Sequence, residues 1–512
     1  MSLAFPASPS VGDTYTVGAR TWSWSGTIWE ITGTTAAAGS IGTTELASNA
    51  VSQAKLASNL SGITVTTTAN RSSAIPTPFT GQFCFLTDTT ALQRYSGSAW
   101  VTAITSVPTG APTSLAVSGS AGAASVTLTF VAGADGGSDI TNYQYALSTD
   151  SGSTYGSYTT LSPADASSPI TVTGLTASQA YYIKLRAVNA IGTATIESSA
   201  VSFTTANIPV EYLVVAGGGA GGEDIAGGGG AGGLRTNVVG ATSGGGASAE
   251  AALSLAPATY TVTVGAGGNA VTGSESIVGN QGSPGNASVF GSISTVGGGG
   301  GGAEGGGGAG TGGSGGGAGY STNTGAAGTA NQGYAGGNAI GGTCGGGGGA
   351  GGVGVSPASA GSYGGNGGPG VLSTIDGNSY YYAGGGGASG WTSALGAGNG
   401  GAGGGGGGGA GSSYNLNPGT GNTQGRNNGL NGNIGSVGKG GNAGANTGGG
   451  GGGAGESNAG YQSTSGAGGS GIVIVRYLTA DAVGRTVTGG TATTSGSYTV
   501  RTFTASGSLV IA

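Results

Sequence analysis

The chain has 512 residues, of which 125 are Gly, 6% are charged and none is His, for a formal net charge of −6. The lack of His removes the commonest general base and metal ligand, and Cys84 and Cys344, in different segments with no C-x-x-C, suggest neither a zinc site nor a disulfide framework. The 12 basic residues are too thinly spread for a nucleic-acid groove, no run approaches the ~18 apolar residues of a membrane span, and the first residues lack an export signal, so no cofactor, metal, nucleic acid or membrane insertion is expected.

Residues 1–33 and 69–106 carry an imperfect repeat. "GDTYTVGARTWSWSGTIWEIT" from Gly12 and "GQFCFLTDTTALQRYSGSAWVTA" from Gly81 align Trp24 with Tyr95, Ser25-Gly26 with Ser96-Gly97, and Trp29 with Trp100. Each reads as a small antiparallel β-unit whose alternating aromatics form its core. The competing reading, a sugar-stacking platform, is the less favoured. Between the copies, in 34–68, Ala47, Ala50, Ala54 and Ala57 step by three and four beside Leu46, Val51, Leu56 and Leu60. This predicts a short helix, marginal alone and stabilised when several copies bury the stripe about one axis.

From 107 to 206 turn signals recur every 8 to 12 residues between short strands, the pattern of a β-sandwich. "PTGAPTSLAV", "SVTLTF", "DGGSDITNYQYAL" and "ITVTGLTASQAYYIKLRAVNAIG" resemble strands A, B, C and E–F of a fibronectin type III domain. The resemblance puts Tyr181, six residues after Leu175, at the family's tyrosine corner, and Phe130 where the family usually has Trp. No Arg-Gly-Asp occurs, so the resemblance implies a rigid spacer without integrin binding.

The segment 207–478 holds most of the glycine. Gly217, Gly219 and Gly222 after "VEYLVVA" match G-x-G-x-x-G, but no helix pattern follows and no acidic residue occurs between Asp224 and Glu250, so a dinucleotide site is not expected. "VEYLVVA", "ATYTVTVGAGG" and "SGIVIVRY" read as framing strands, with the first and last pairing to close the domain. The glycine runs between them lack a Gly-X-Y period, which leaves a flexible coil or polyproline-II helices bonded side by side. Ordering a residue costs about 1–2 kcal/mol against a net return near 1 kcal/mol per hydrogen bond, so packing requires a cooperative lattice. The framing strands and the spaced Tyr and Trp favour that lattice over a linker.

The loops between runs combine Tyr and Trp with Asn, Ser and Gly, the composition of adaptable recognition loops. Tyr380, Tyr381, Tyr382, Trp391, Tyr414, Asn415, Asn417 and Arg426 are the candidate receptor-binding residues; the alternative is that individual aromatics plug gaps in the lattice. Glu211, Glu223, Asp224, Glu250 and Glu304 are scattered among glycines and are expected to be solvated, leaving no acid–base pair and no enzyme.

The "VEYLVVAGGGAGG … YTVTVGAGG … GIVIVRY" framework resembles the glycine-rich domain at the ends of bacteriophage tail fibres and adhesins. "TELASNAVSQAKLASN" is similar to their trimerising segments, and the Trp-Ser-Gly units to tail-fibre modules, particularly from phages of cyanobacteria. The C-terminal "TATTSGSYTVRTFTASGSLVIA", in 479–512, looks like the strand pair that normally precedes such a domain; at the chain's end it either completes the domain or caps it. The resemblance implies an elongated, modular, all-β fibre protein in the virion tail, homotrimeric, joined to other tail or baseplate proteins and attaching to an outer-membrane protein or polysaccharide of a bacterial host. A structural filament contacting only its own copies is the alternative, with an ice- or mineral-binding surface behind it.

Overall fold

The computed structural model describes residues 5–512 apart from 18–19, 35–62, 90, 104–105, 274–277, 321–323, 391–394, 412–416, 436–437 and 457–461. The expected trimerising helix with Ala47 to Ala57 lies outside the described residues. At the two ends of 34–68 the chain is extended, Thr34 closing one strand and Thr64–Thr66 forming another.

The two repeat units share one set of hydrogen bonds. Strands β1 (Thr14–Val17), β2 (Arg20–Trp24) and β3 (Trp29–Thr34) form an antiparallel meander. In the second unit β4 (Thr64–Thr66) runs parallel to β5 (Phe83–Leu86), which continues into β6 (Ala91–Tyr95) and β7 (Trp100–Thr102). The N–H of Gly12 donates to Trp24 O at 2.9 Å and that of Gly81 to Tyr95 O at 2.8 Å. Ser25 and Ser96 hydroxyls donate to Ile28 O and Ala99 O at 3.0 and 2.9 Å. The glycine of each Ser-Gly turn has φ near +103°, a left-handed conformation that disfavours side chains. The aligned rings face each other across the hairpin: Trp24 and Trp29 have centroids 5.6 Å apart, Tyr95 and Trp100 5.5 Å. These repeated rings are half-buried and border the cores, Trp100 packing against the apolar cluster of the second unit. The buried positions are Trp22 in the first unit and Ile75, Cys84 and Leu86 in the second.

The sandwich comprises β8 (Thr113–Val117), β9 (Ser125–Val131), β10 (Ile140–Ser148), β11 (Thr159–Thr160), β12 (Ile170–Thr173), β13 (Ala180–Asn189) and β14 (Val201–Thr204), in sheets ordered β11-β10-β13-β14 and β12-β9-β8. Alternation is strict where a strand covers the core: Val126, Leu128 and Phe130 are buried on β9, and Tyr181, Ile183, Leu185 and Ala187 on β13. The Thr176 N–H donates to the Tyr181 hydroxyl at 3.0 Å, forming the expected corner. Phe130 meets Tyr143 edge-on at 4.6 Å.

The glycine-rich segment is built on two strand layers. One holds β15 (Ile208–Val215), β16 (Leu234–Thr236) and β17 (Leu253–Leu255); the other holds β18 (Ala258–Thr263), β19 (Ser288–Phe290) and β20 (Ile293–Thr295). Two short pairs follow, β21 (Val371–Ser373) with β22 (Tyr380–Tyr382) and β23 (Ala410–Gly411) with β24 (Ile434–Gly435). The chain then returns through β25 (Ile472–Leu478), β26 (Val487–Thr488), β27 (Thr491–Ser495), β28 (Tyr498–Phe503) and β29 (Gly507–Ile511). β15 and β25 pair antiparallel, as the framing ends predict, with Glu211 opposite Arg476 and their side chains 2.6 Å apart.

The C-terminal strands complete the domain. β28 pairs along β25 to give the sheet β16-β15-β25-β28-β27, with β17 on the other end of β15, and β29 pairs along β18 in the sheet β20-β19-β18-β29-β26. Residues 479–512 are therefore an integral part of the base, not a separate strand pair. Val210, Tyr212, Val214, Val473 and Val475 face Val262, Phe290, Leu509 and Ile511 in the core between the layers. Leu213, Val215, Ile472 and Ile474 point the opposite way, against Leu234, Val371, Ile375 and Tyr382. Both faces of β15 and β25 are thus buried, which explains their near-continuous apolar runs. Ala123 and Ala177 of the sandwich join the first core, and the Arg485 guanidinium donates to Ala177 O at 2.9 and 2.7 Å.

Beyond these sheets the glycine runs pack as side-by-side helices of polyproline-II type. Gly228, Gly229 and Gly230 donate to three different segments, at Gly345, Gly451 and Gly299; Ala231, Gly232 and Gly233 return to the same three, at Gly348, Gly448 and Val296. Every third N–H meets the same neighbour three residues further along, which is three residues per turn. The shift from Gly345 to Gly348 is parallel, while those from Gly451 to Gly448 and Gly299 to Val296 are antiparallel. Spacing explains the composition: a Cβ at Gly228 would overlap the carbonyl oxygen of Gly386, and one at Gly347 that of Gly229. Only glycine permits such approach.

Candidate recognition loops

The lattice gives the loops two opposite addresses. Run 216–222 leaves β15 and, at about 3.1 Å per residue, carries the chain roughly 20 Å from the sheet. At its far end Ala226 O accepts the Ser389 N–H at 3.0 Å, and Ile225 O accepts the Cys344 thiol at 3.0 Å. Next to the sheet, Tyr382 lies in the core with Leu213 and Ile474, and the Ala383 N–H donates to Thr447 O at 2.7 Å. Tyr380, Tyr381, Tyr382 and Arg426 therefore group at the sheet end. Asn417 belongs to the far end, where its carbonyl accepts the Ala397 N–H at 2.9 Å. Trp391, Tyr414 and Asn415 lie outside the described residues. The candidates form two sites, not one.

At the sheet end Tyr382 must be withdrawn as a receptor contact. It is fully buried in the side-chain core, and burial pushes its hydroxyl pKa up. Alternation on β22 turns Tyr381 to the opposite face, half-buried, with its N–H donating to Gln424 O at 3.0 Å, while Tyr380 shares the face of Tyr382 and packs half-buried at the edge of that core. Arg426 pairs with Asp376 at 2.6 Å, the side chains 29% and 7% exposed, so the cation is held in place by a nearly buried carboxylate. These groups line a cavity of about 510 Å³ with Asn378, Asn427 and the C-terminal threonines Thr491, Thr493, Thr494 and Thr502. A groove of about 290 Å³ continues along Tyr380, Tyr381, Leu372 and Gln424. Asp376 and the threonines escape sequence reasoning because they lie far from Arg426 in the chain. The one available signal is the Asp heading the "DGNSYYY" loop.

At the far end Asn417 lies on the wall of a cavity of about 570 Å³ with Tyr363. The carboxylates of the domain are not the solvated groups expected. Glu223 is 2% and Asp224 6% exposed. Glu223 ties three loops together, accepting from the Ser463 hydroxyl at 2.8 Å and the Asn280 N–H at 3.0 Å. Burial pushes its pKa up, the two hydrogen bonds oppose this, and the nearby Asp224 charge adds to the rise. Glu304 is also raised, by burial first and then by Asp224 and Glu456. Glu250 is partly buried, but Arg235 at 2.5 Å and the Tyr212 hydroxyl at 2.6 Å outweigh that and hold its pKa below the usual range. Cys344 is buried and its thiol is pushed up to about 12, so it stays protonated. Among the described residues no helix is long and apolar enough to cross a membrane.

A glycine-rich domain family matches residues 193–437, and the fibronectin type III domain family matches residues 110–204. No curated protein matches the chain. Among solved structures it is similar to the crystal structure of domains A168-A170 from titin, at 25% identity and a TM-score of 0.17. That similarity covers 20% of this chain and 32% of the titin chain, so the match spans about a third of the titin structure. The nearly all-β chain thus contains a fibronectin type III domain docked on the strand base of a glycine-rich domain.

Proposed function

We propose that the chain is a bacteriophage tail-fibre or adhesin protein that attaches a virion to a bacterial surface receptor through loops of its glycine-rich domain. The observation that supports this reading is the support given to the loops: a backbone lattice with glycines too close for any side chain holds Tyr380, Tyr381, Arg426 and Asn417 with at least part of each side chain exposed. A rigid support lowers the ordering cost of binding. The fibronectin type III domain serves as a spacer, residues 34–68 join three copies, and other tail or baseplate proteins hold the trimer. Several weak contacts on one particle then gain avidity through effective concentration. The receptor is an outer-membrane protein or a polysaccharide.

The test is competition: purified protein is added to host cells and adsorption of the phage that carries it is measured. Dose-dependent blocking, reduced in Tyr381→Ala and Arg426→Ala proteins of wild-type circular dichroism, is the expected result. A folded protein that does not bind cells returns the chain to the structural-filament reading.

A further inference from the structure

Among the described residues the far-end cavity of about 570 Å³ has no charged residue in its wall. Its aromatic member, Tyr363, is 52% exposed. The ring is seated against the backbone: a Cβ at Gly396 would lie 2.9 Å from Tyr363 Cε1, so glycine at 396 keeps the seat open. Around it the carboxamides are oriented by the lattice itself. The Asn399 N–H donates to Asn366 Oδ1 at 2.7 Å, and the Thr420 N–H to Asn399 Oδ1 at 2.8 Å. With each oxygen fixed by a backbone N–H, the opposite NH2 ends of two exposed amides acquire set directions. The same device recurs along the lattice edge at Asn338, Asn431 and Asn442, whose Oδ1 atoms accept from Gly325, Gly421 and Ala467. Ser356 and Ser362 add hydroxyls to the wall.

We infer that this cavity binds a neutral, hydroxyl-rich glycan segment, with Tyr363 as the stacking face and Asn366 and Asn399 as fixed donors. The chemistry favours this class. An exposed ring supplies area against the apolar face of a sugar, preoriented amides match its hydroxyls, and the volume suits a small number of sugar units. An acidic polysaccharide calls for Arg or Lys in the wall, and a protein partner for a larger apolar centre. The inference rests on the attachment reading and narrows it to one ligand class and one end of the lattice.

The full-length protein is tested by biolayer interferometry against purified neutral O-polysaccharides, with acidic capsular polysaccharides alongside, and in parallel for binding to intact host cells. Binding to at least one neutral polysaccharide is expected, weakened about tenfold or more in Tyr363→Ala and kept within about threefold in Tyr363→Phe, which retains the ring. Gly308→Ala, whose added Cβ meets nothing within 4 Å, leaves it unchanged. Preference for acidic polysaccharides, or binding indifferent to Tyr363→Ala in a protein that melts like wild type, overturns the inference. If cells are bound but no neutral polysaccharide is, the ligand class fails and the attachment reading stands. If neutral polysaccharides are bound but cells are not, the cavity assignment stands and the attachment reading fails.

Discussion

The strand base and the glycine lattice are two interiors built on opposite rules. In the base, Tyr212, Val214, Phe290, Val475 and Leu509 fill the space between sheets with side chains, and stability comes from apolar area withdrawn from water. In the lattice, runs such as 228–233 bury backbone against backbone, and each N–H is answered by a carbonyl of another run. The first interior is weakened by removing atoms, the second by adding them. This contrast explains why glycine, ordinarily costly inside regular structure, is concentrated here.

The largest expected effect breaks the lattice. In Gly347→Ala the new methyl overlaps the carbonyl oxygen of Gly229, and neither backbone can move without disturbing neighbouring runs. A loss on the order of 4 kcal/mol or more is expected, read as loss of the cooperative unfolding transition in calorimetry. Next is the inverse change in the base. Ile474→Ala removes a fully buried side chain from the face shared with Leu213 and Tyr382 and is expected to cost about 2–5 kcal/mol by chemical denaturation. Equal tolerance of both substitutions sinks the comparison.

A smaller effect tests the charge at the far end. Glu223 has a folded pKa raised above its unfolded value, so the folded state binds the extra proton; the associated stability is present at acid pH and lost as pH rises through the folded pKa. Glu223→Gln mimics the protonated form, with its NH2 meeting the Ser463 hydroxyl and its oxygen kept for the Asn280 N–H. Its melting temperature is expected to exceed wild type at pH 7 and to converge with it at acid pH; a lower value at neutral pH shows that the charge stabilises the loops. The smallest effect is the lattice control. A Cβ at Gly308 meets nothing within 4 Å, and Gly308→Ala is expected to change stability by about 0.5 kcal/mol or less.

Legibility in the sequence followed the range of the signal. The repeat was readable because the Ser25-Gly26 turn and the Trp24–Trp29 pair have counterparts at equal spacing, with Gly12 and Gly81 opening each unit, and the same hydrogen bonds form in both. Tyr181 was readable because its partner, the Thr176 N–H, is five residues away. The candidate sites were only half readable. "SYYYAG" marks three tyrosines equally, yet the pleat of β22 turns Tyr381 away from the core that takes Tyr382 whole and Tyr380 in part. The partner of Arg426 is a carboxylate 50 residues away, and no local pattern announces it.

By itself the sequence determined the all-β character, the sandwich, the framing strands and the restriction of close packing to the glycine-rich segment, since period-2 alternation, turn residues and a missing Cβ act locally. Only the tertiary structure decided which run lies beside which, that the C-terminal strands complete both sheets of the base, and that Glu223 is buried. The physical reason is that a glycine run carries no side-chain code for its neighbour: Gly228, Gly229 and Gly230 are chemically identical but meet three different segments. Their register is fixed from outside, by the strands that anchor each run and the loops that return it.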